Sequence, residues 1–160
     1  EGFPFLGLCL GHQLLAEVVG GTVGPAAEPE IGVLPVNLTK KGASSSLFDG
    51  IDPVFLALQW HSAMVMTLPS DCKILATTDA CPVQAFSWQT LAHGVQFHLE
   101  VENDTVDSWA AIPEYAAELD LALGDNGARI MRDACASNSE KFASSAKRFY
   151  NNWMQCCGQA

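Results

Sequence analysis

Two short stretches of this 160-residue chain carry side chains suited to covalent chemistry. The first is Gly7-Leu8-Cys9-Leu10-Gly11, a cysteine with glycines two positions before and two after it. If a strand precedes it and a helix follows, it has the mechanics of a nucleophile elbow: a sharp turn that crowds its flanks, relieved by glycine. The positive end of the following helix favours the thiolate, the reactive form of the side chain. The Leu10 backbone N–H would face a developing oxyanion. The same five residues also describe an ordinary glycine-bracketed turn around an inert thiol, and by themselves leave both readings open.

A nucleophile needs a base, and the chain has four histidines, His12, His61, His93 and His98. His12 shares the helix that follows Cys9 and is expected to point away from it. His93 precedes a strand in a turn and reads as solvated. His98 follows an apolar strand and stands two residues before Glu100, a spacing that puts both side chains on one side of an extended chain. Glu100 can then fix the imidazole tautomer and leave the other ring nitrogen free to work on Cys9. An isolated His-x-Glu is more often a solvated strand end. Chemistry is favoured here because strand ends at one edge of a parallel sheet are where α/β sites assemble.

The elements that must position these groups follow from the hydrophobic pattern. Phe3 to Leu8 is a short apolar run without polar alternation and reads as a buried strand. Leu14 to Val19 reads as a helix stopped by Gly20-Gly21, and Pro25 to Pro29 as a loop. Ile31 to Thr39 alternates like a strand, with Pro35 placing it toward an edge. Val54 to Gln59 is a strand ending at Trp60-His61. Lys73 to Thr78, Val83 to Trp88 and Ala92 to Phe97 are further strands, the last two joined by a hairpin at Gln89-Thr90. From Val101 the pattern turns helical, with segments around Trp109, over Glu114 to Leu123, Ala128 to Cys135 and Glu140 to Cys156. In the last, Phe142, Ala146, Phe149, Tyr150 and Trp153 share one face and read as core. The fold class is α/β, one domain over residues 1–160 with a mainly helical segment over 101–160.

Composition narrows the function classes. A net charge of −10, from 18 acidic and 8 basic residues, argues against nucleic acid or an anionic membrane as partner, since both need a basic footprint. None of the six cysteines forms a C-x-x-C pair, and no histidine stands at zinc-finger spacing from them, so no metal site is expected. Cys72, Cys81 and Cys135 read as core thiols and Cys156-Cys157 as a helix-end pair, all reduced, which points to a cytoplasmic setting. There is no G-x-x-x-x-G-K-[ST] phosphate loop and no dinucleotide fingerprint.

"GLCLGHQLLA" at 7–16, together with "GVQFHLE" at 94–100, closely resembles class I glutamine amidotransferase domains, which carry a G-x-C-x-G-H-Q elbow and a downstream H-P-E. "LQWHSAMV" at 58–65 resembles the family's glutamine-pocket strand end, and "EIG" at 30–32 fits by position. The likeness covers nearly all of residues 3 to 109, and the tail resembles the stand-alone, GMP-synthetase-like branch. It implies a flavodoxin-like three-layer fold whose N-terminal strands are missing here. Cys9 would be the nucleophile, His98 the general base and acid, and Glu100 its orienter. Leu10 would supply an oxyanion N–H, Gln13 would line the side-chain pocket, and Trp60, Ser62 and Ala63 would hold the amino-acid end; His61 would be structural.

The implied substrate is glutamine or a γ-glutamyl compound, hydrolysed without metal or organic cofactor, with ammonia passing to a synthase subunit or domain. A γ-glutamyl peptidase or hydrolase could run the same chemistry, and a non-catalytic binding domain could keep the same fold. Two departures stand out. Leu99 replaces the family's proline, which is expected to loosen the turn. The family's glycine-rich loop, source of the second oxyanion N–H, precedes the elbow and is not among these residues, so the segment alone is expected to be weakly active or inactive.

Overall fold

The computed structural model describes residues 3–158. In chain order the elements are β1 (Phe5–Leu8), α1 (Leu10–Val18), β2 (Thr22–Leu38), α2 (Lys40–Ala43), a 3₁₀ turn (Ser46–Phe48), β3 (Val54–Thr67), β4 (Cys72–Thr77), β5 (Ala85–Trp88) and β6 (Ala92–Val95). Four helices follow: α3 (Thr105–Ala110), α4 (Pro113–Leu123), α5 (Gly127–Ser137) and α6 (Ser139–Cys157). The strands form one six-stranded sheet in the order β1-β6-β5-β4-β2-β3.

Successive side chains of a strand point to opposite faces, and here the two faces meet different helices. Ile74, Phe86 and Trp88 lie with Leu15, Ala16 and Val65 in a core beneath α1. Their neighbours Leu75, Ala85 and Val95 join Phe97 and Phe55 in a larger core. Leu119, Met131, Phe142 and Phe149 from α4, α5 and α6 complete it. Burying each such phenylalanine contributes about 1.5–3 kcal/mol, which is what docks the helical tail on the sheet. The arrangement is α/β, with α1 on one side of the sheet and α3 to α6 on the other.

The sheet is mixed. Only β1 and β6 run parallel, from Phe5↔Ala92 to Leu8↔Val95, and the other pairs are antiparallel. Among the described residues β1 pairs with β6, and Phe5 and Leu8 are 43% and 37% exposed.

β2 and β3 are both longer than their patterns foretold. The expected loop over Pro25 to Pro29 lies within β2, because pairing to β3 runs on both sides of it. The ladder breaks between Pro25↔Ala63 and Glu30↔His61, so the local turn signal survives as a bulge rather than a loop. β3 does not stop at Trp60-His61 but continues to Thr67, placing Trp60, Ser62 and Ala63 in mid-strand. Pro35 pairs with Leu56 on β3, while β4 contacts β2 only at Asn37 and Leu38. Its missing N–H therefore costs no ladder bond on the other side.

Two side chains of α6 depart from the helical pattern. Tyr150, read as core, is 56% exposed, one position round the helix from buried Phe149. Asn152, which is not among those five residues, is buried, and its amide donates to the carbonyls of Leu47 and Asp49 at 3.1 and 2.9 Å. It ties α6 to the 3₁₀ turn.

Candidate active site

Cys9 is the last rung of one element and the first carbonyl of the next. Its N–H donates to Val95 O at 2.9 Å, extending the parallel β1/β6 ladder by one residue, and its C=O accepts from Gln13 N at 3.1 Å to begin α1. Making that switch in one residue forces φ to 47° with ψ at −104°, a conformation non-glycine residues rarely take. Such strain is concentrated at functional sites.

The two flanking glycines do different things. A Cβ on Gly7 would lie 2.3 Å from Gly11 O and 2.7 Å from His12 N, inside the first turn of α1. A Cβ on Gly11 would meet nothing within 4 Å among the described residues. Steric clearance, expected of both, belongs to Gly7, and what it clears is the helix backbone rather than the thiol.

His98 is reached from the next strand over. Past the end of β6 the chain bridges to β3, His98 N donating to Leu58 O at 2.9 Å and Leu58 N to His98 O at 3.0 Å. This fixes the backbone on which the imidazole stands. His98 Nδ1 donates to Glu100 Oε1 at 2.5 Å, and the ring lies against Trp109 with centroids 4.8 Å apart. Burial opposes a charge on this ring, but hydrogen bonding with Cys9 and the carboxylate of Glu100 outweighs it, and the pKa rises from 6.5 to about 9. Glu100, also opposed by burial, is held below the usual carboxylate range by His98.

Leu99 corrects a further expectation. In place of the family's proline it was expected to loosen the turn; instead its N–H donates to Glu100 Oε2 at 3.0 Å. Proline has no such donor, so leucine here adds a restraint on the carboxylate.

A line of amides joins Cys9 to β3. Gln13 Nε2 donates to Ala63 O at 3.1 Å and to Gln96 Oε1 at 3.0 Å, and Gln96 Nε2 donates to Cys9 Sγ at 3.4 Å. Gln96 is fully buried. Its role was not read from the sequence, although its place two residues before His98, on the same side of an extended chain, was a usable signal. Gln96→Leu is expected to retain the fold but lower stability by about 1–3 kcal/mol, because a buried amide partner is lost. Chemical denaturation of the two proteins side by side checks this.

Behind this line lies a second buried network. His61 Nδ1 donates to Ala63 O at 3.0 Å, and its Nε2 lies 3.3 Å from Glu30 Oε2 without hydrogen-bond alignment. Glu30 accepts from Gln84 Nε2 at 2.6 Å, and Gln84 Oε1 from Gln59 Nε2 at 3.0 Å. Burial pushes the Glu30 carboxyl up, and the facing His61, Thr78 and Gln84 side chains pull it below its ordinary value.

Of the remaining histidines, His12 turns away from Cys9, its Nε2 against Val83 O at 3.1 Å and its ring edge-on to Phe86. His93, expected in solvent, is only 6% exposed, since β6 lies between β1 and β5.

Leu8, Cys9, Leu10, Trp60, His98, Trp109, Ile112 and Tyr115 enclose a cleft of about 340 Å³. Cys9 and His98 thus share one cavity, at the carboxyl ends of the two parallel strands. Trp60 forms its back wall, with ring centroids 5.7 Å from Trp109 and 6.1 Å from Tyr115. Ser62 and Ala63 do not line this cleft; Ser62 Oγ donates to Glu118 Oε1 at 2.6 Å and Ala63 offers its carbonyl to Gln13. Ile112 and Tyr115 were not anticipated as residues lining this cleft, since α3 and α4 read only as tail. Among the described residues, no group of three or more His, Cys, Asp or Glu side chains is placed to hold a metal ion.

The family model for glutamine amidotransferase class-I matches residues 1–109, more than half of the chain. The chain belongs to that family. Among curated relatives of this amidotransferase chain, the GMP synthase [glutamine-hydrolyzing] of Clostridium novyi (strain NT) is 43% identical over 103 residues, which is 64% of this chain and 20% of that protein. One subunit of the GMP synthase [glutamine-hydrolyzing] of Sulfurisphaera tokodaii is 40% identical over 101 residues, 62% of this chain and 52% of that one. The amidotransferase chain thus spans between a fifth and about half the length of these relatives. Among solved structures, a glutamine amidotransferase from Thermotoga maritima matches with a TM-score of 0.79 and 26% identity, over 94% of this chain and 62% of that one.

Proposed function

We propose that this protein hydrolyses the side-chain amide of glutamine through a γ-glutamyl thioester on Cys9. The observation that carries the reading is the placement of Cys9 and His98 in one cleft, with Glu100 bonded to the far side of the imidazole. Cys9 Sγ attacks the amide carbon, and the carbonyl oxygen takes up the negative charge. The first turn of α1 begins at Leu10, and its N–H groups have no acceptor within the helix, so the Leu10 N–H is the donor for that oxyanion. As the C–N bond breaks, His98 gives its proton to the nitrogen, which leaves as ammonia. Water then attacks the thioester and gives a proton to His98, and the C–S bond breaks to release glutamate and restore the Cys9 thiolate beside a protonated His98.

His98 must hold a proton to expel ammonia, and with its pKa near 9 it holds one at neutral pH. The expected kcat/KM profile therefore falls on the alkaline side around pH 9, where His98 is neutralised. A pH–rate profile checks this, with Glu100→Gln expected to move the alkaline limb to lower pH by removing one of the groups that raise the histidine. A limb unmoved by that substitution would argue against His98 as the acid. The same raised pKa adds stability at neutral pH that fades as pH climbs through about 9, since the unfolded imidazole titrates near 6.5.

The relatives named GMP synthase [glutamine-hydrolyzing], one of them a separate subunit of that enzyme, support ammonia delivery to a synthase carried on another domain or chain. All six cysteines are free thiols, which fits a reducing cytoplasmic setting. No helix among the described residues is long and apolar enough to cross a membrane.

A γ-glutamyl peptidase would use the same thioester with a larger leaving amine. Steady-state rates of the intact protein with glutamine and with γ-glutamyl dipeptides separate the two. Higher kcat/KM for the dipeptides would replace the first reading with the second.

A further inference from the structure

A second cavity, of about 500 Å³, shares no lining residue with the cleft around Cys9. Its volume falls in the range of about 300–1,000 Å³ that small-molecule sites occupy. The floor is a row across three neighbouring strands. Lys73 on β4 pairs with Ser87 on β5, and Ser87 pairs with His93 on β6, so the three side chains rise from one face of the sheet. Ala85 and Val95 lie on that same face, toward the helical tail. Lys41, on α2, and Ser45, just before the 3₁₀ turn, close the cavity from the side.

Two independent observations give this cavity the character of an anion site. The first is its charge. The chain has 18 acidic residues against 8 basic ones, yet among the described residues the lining contains two lysines and no aspartate or glutamate. Neither lysine has an ion-pair partner among those residues. The second is His93, only 6% exposed, whose Nδ1 is buried without a hydrogen-bond partner. The nearby Leu91 carbonyl, which accepts from Phe5 N at 3.0 Å, is not aligned with it. Burial lowers the pKa of this imidazole, so at neutral pH it is an uncharged ring with one N–H to give. A buried polar atom left unanswered is costly, and a ligand oxygen in the cavity would answer this one. The Ser45 hydroxyl accepts from Leu47 N at 3.3 Å and so keeps its own proton to donate.

We propose that this cavity binds the phosphate group of a small phosphorylated molecule, with Lys41 and Lys73 supplying charge and His93, Ser87 and Ser45 supplying neutral donors. A phosphate monoester offers three strong acceptor oxygens and nearly two negative charges, which a pair of cations and three further donors can use in full. A carboxylate, with one charge and two oxygens, would leave part of that set idle. The site requires nothing of the thioester chemistry and goes beyond the glutaminase reading.

The test titrates the intact protein with inorganic phosphate and with phenyl phosphate at fixed ionic strength, read by calorimetry and by the NMR signals of the histidine rings. The expected result is saturable binding of both, one per chain, with the His93 ring signal moving in step. Lys73→Gln is expected to weaken both ligands about tenfold or more, the range for loss of a hydrogen bond to a charged group. Lys147→Gln, which removes an exposed lysine of α6 outside the cavity, should leave them unchanged within about twofold. Both lysines are exposed, so neither substitution disturbs the core, and circular dichroism verifies that the variants fold alike. Heat without saturation, a His93 signal that stays fixed, or equal weakening by the two substitutions would overturn the proposal. Binding of inorganic phosphate without phenyl phosphate would overturn it too, because the cavity would then have no room for the body of an ester.

Discussion

Replacing Cys9 with alanine in the intact protein is expected to lower glutamine hydrolysis by at least about 10⁴-fold, to the level left by binding and oxyanion donors alone. Cys9→Ser should fare little better, because the unactivated hydroxyl is a weaker nucleophile than a thiolate. The same substitution should abolish labelling by a glutamine-shaped electrophile such as a diazoketone analogue. That labelling should be confined to one adduct per chain, because the other thiols are poorly disposed to react. Burial pushes Cys81 up to about 12 and Cys135 to about 11, and it raises Cys72 as well. Cys156 and Cys157 lie at the end of α6, outside the cleft. Mass spectrometry of the labelled chain after proteolysis locates the adduct. Retention of even a tenth of the wild-type rate in Cys9→Ala would rule out the thioester route.

The second large effect is structural. Gly7→Ala is expected to destabilise the protein by about 3 kcal/mol or more, the scale of severe overpacking, or to prevent folding. The added methyl would lie 2.3 Å from Gly11 O and 2.4 Å from its carbonyl carbon, both backbone atoms that cannot rotate aside. Relief requires moving the start of α1 away from β1, and that start sets the Cys9 turn. Gly11→Ala is the matched control. It introduces its methyl into open space at a helical position, where alanine is favoured over glycine by about 0.5–1 kcal/mol. Thermal melts of the two variants should therefore diverge in opposite directions from wild type. If Gly11→Ala unfolds the protein as Gly7→Ala does, the packing account of the elbow fails.

The difference between these two glycines marks how far the sequence could be read. The placement of the candidate residues was legible: Cys9, His98 and Glu100 were singled out by type and spacing, and the structure brings Cys9 and His98 into one cleft. The direction of the strands was not, because an apolar run looks the same in a parallel and an antiparallel pair, and only β1 and β6 run parallel here. The long β2–β3 ribbon was hidden by Pro25 and Pro29, whose local preference is overridden by pairing on either side of the bulge. Gln96 was passed over because a buried glutamine announces itself only through its partners, Gln13 and Cys9, which lie 83 and 87 residues away in the chain. The contact of Glu118 with Ser62 was invisible for the same reason, since only folding brings the two together.

The Gln13–Gln96–Cys9 line has a direction. An amide has one donating and one accepting end, and Gln13 uses its nitrogen on both Ala63 O and Gln96 Oε1. With its oxygen already claimed, Gln96 can turn only its NH₂ toward sulfur. The carbonyl of Ala63, which cannot flip between donor and acceptor, therefore sets the polarity of every link out to Cys9. Sulfur at the end of such a chain is offered a proton and never asked for one. A β-strand carbonyl thus acts as the fixed reference pole for the amide that meets a thiol on another strand's end.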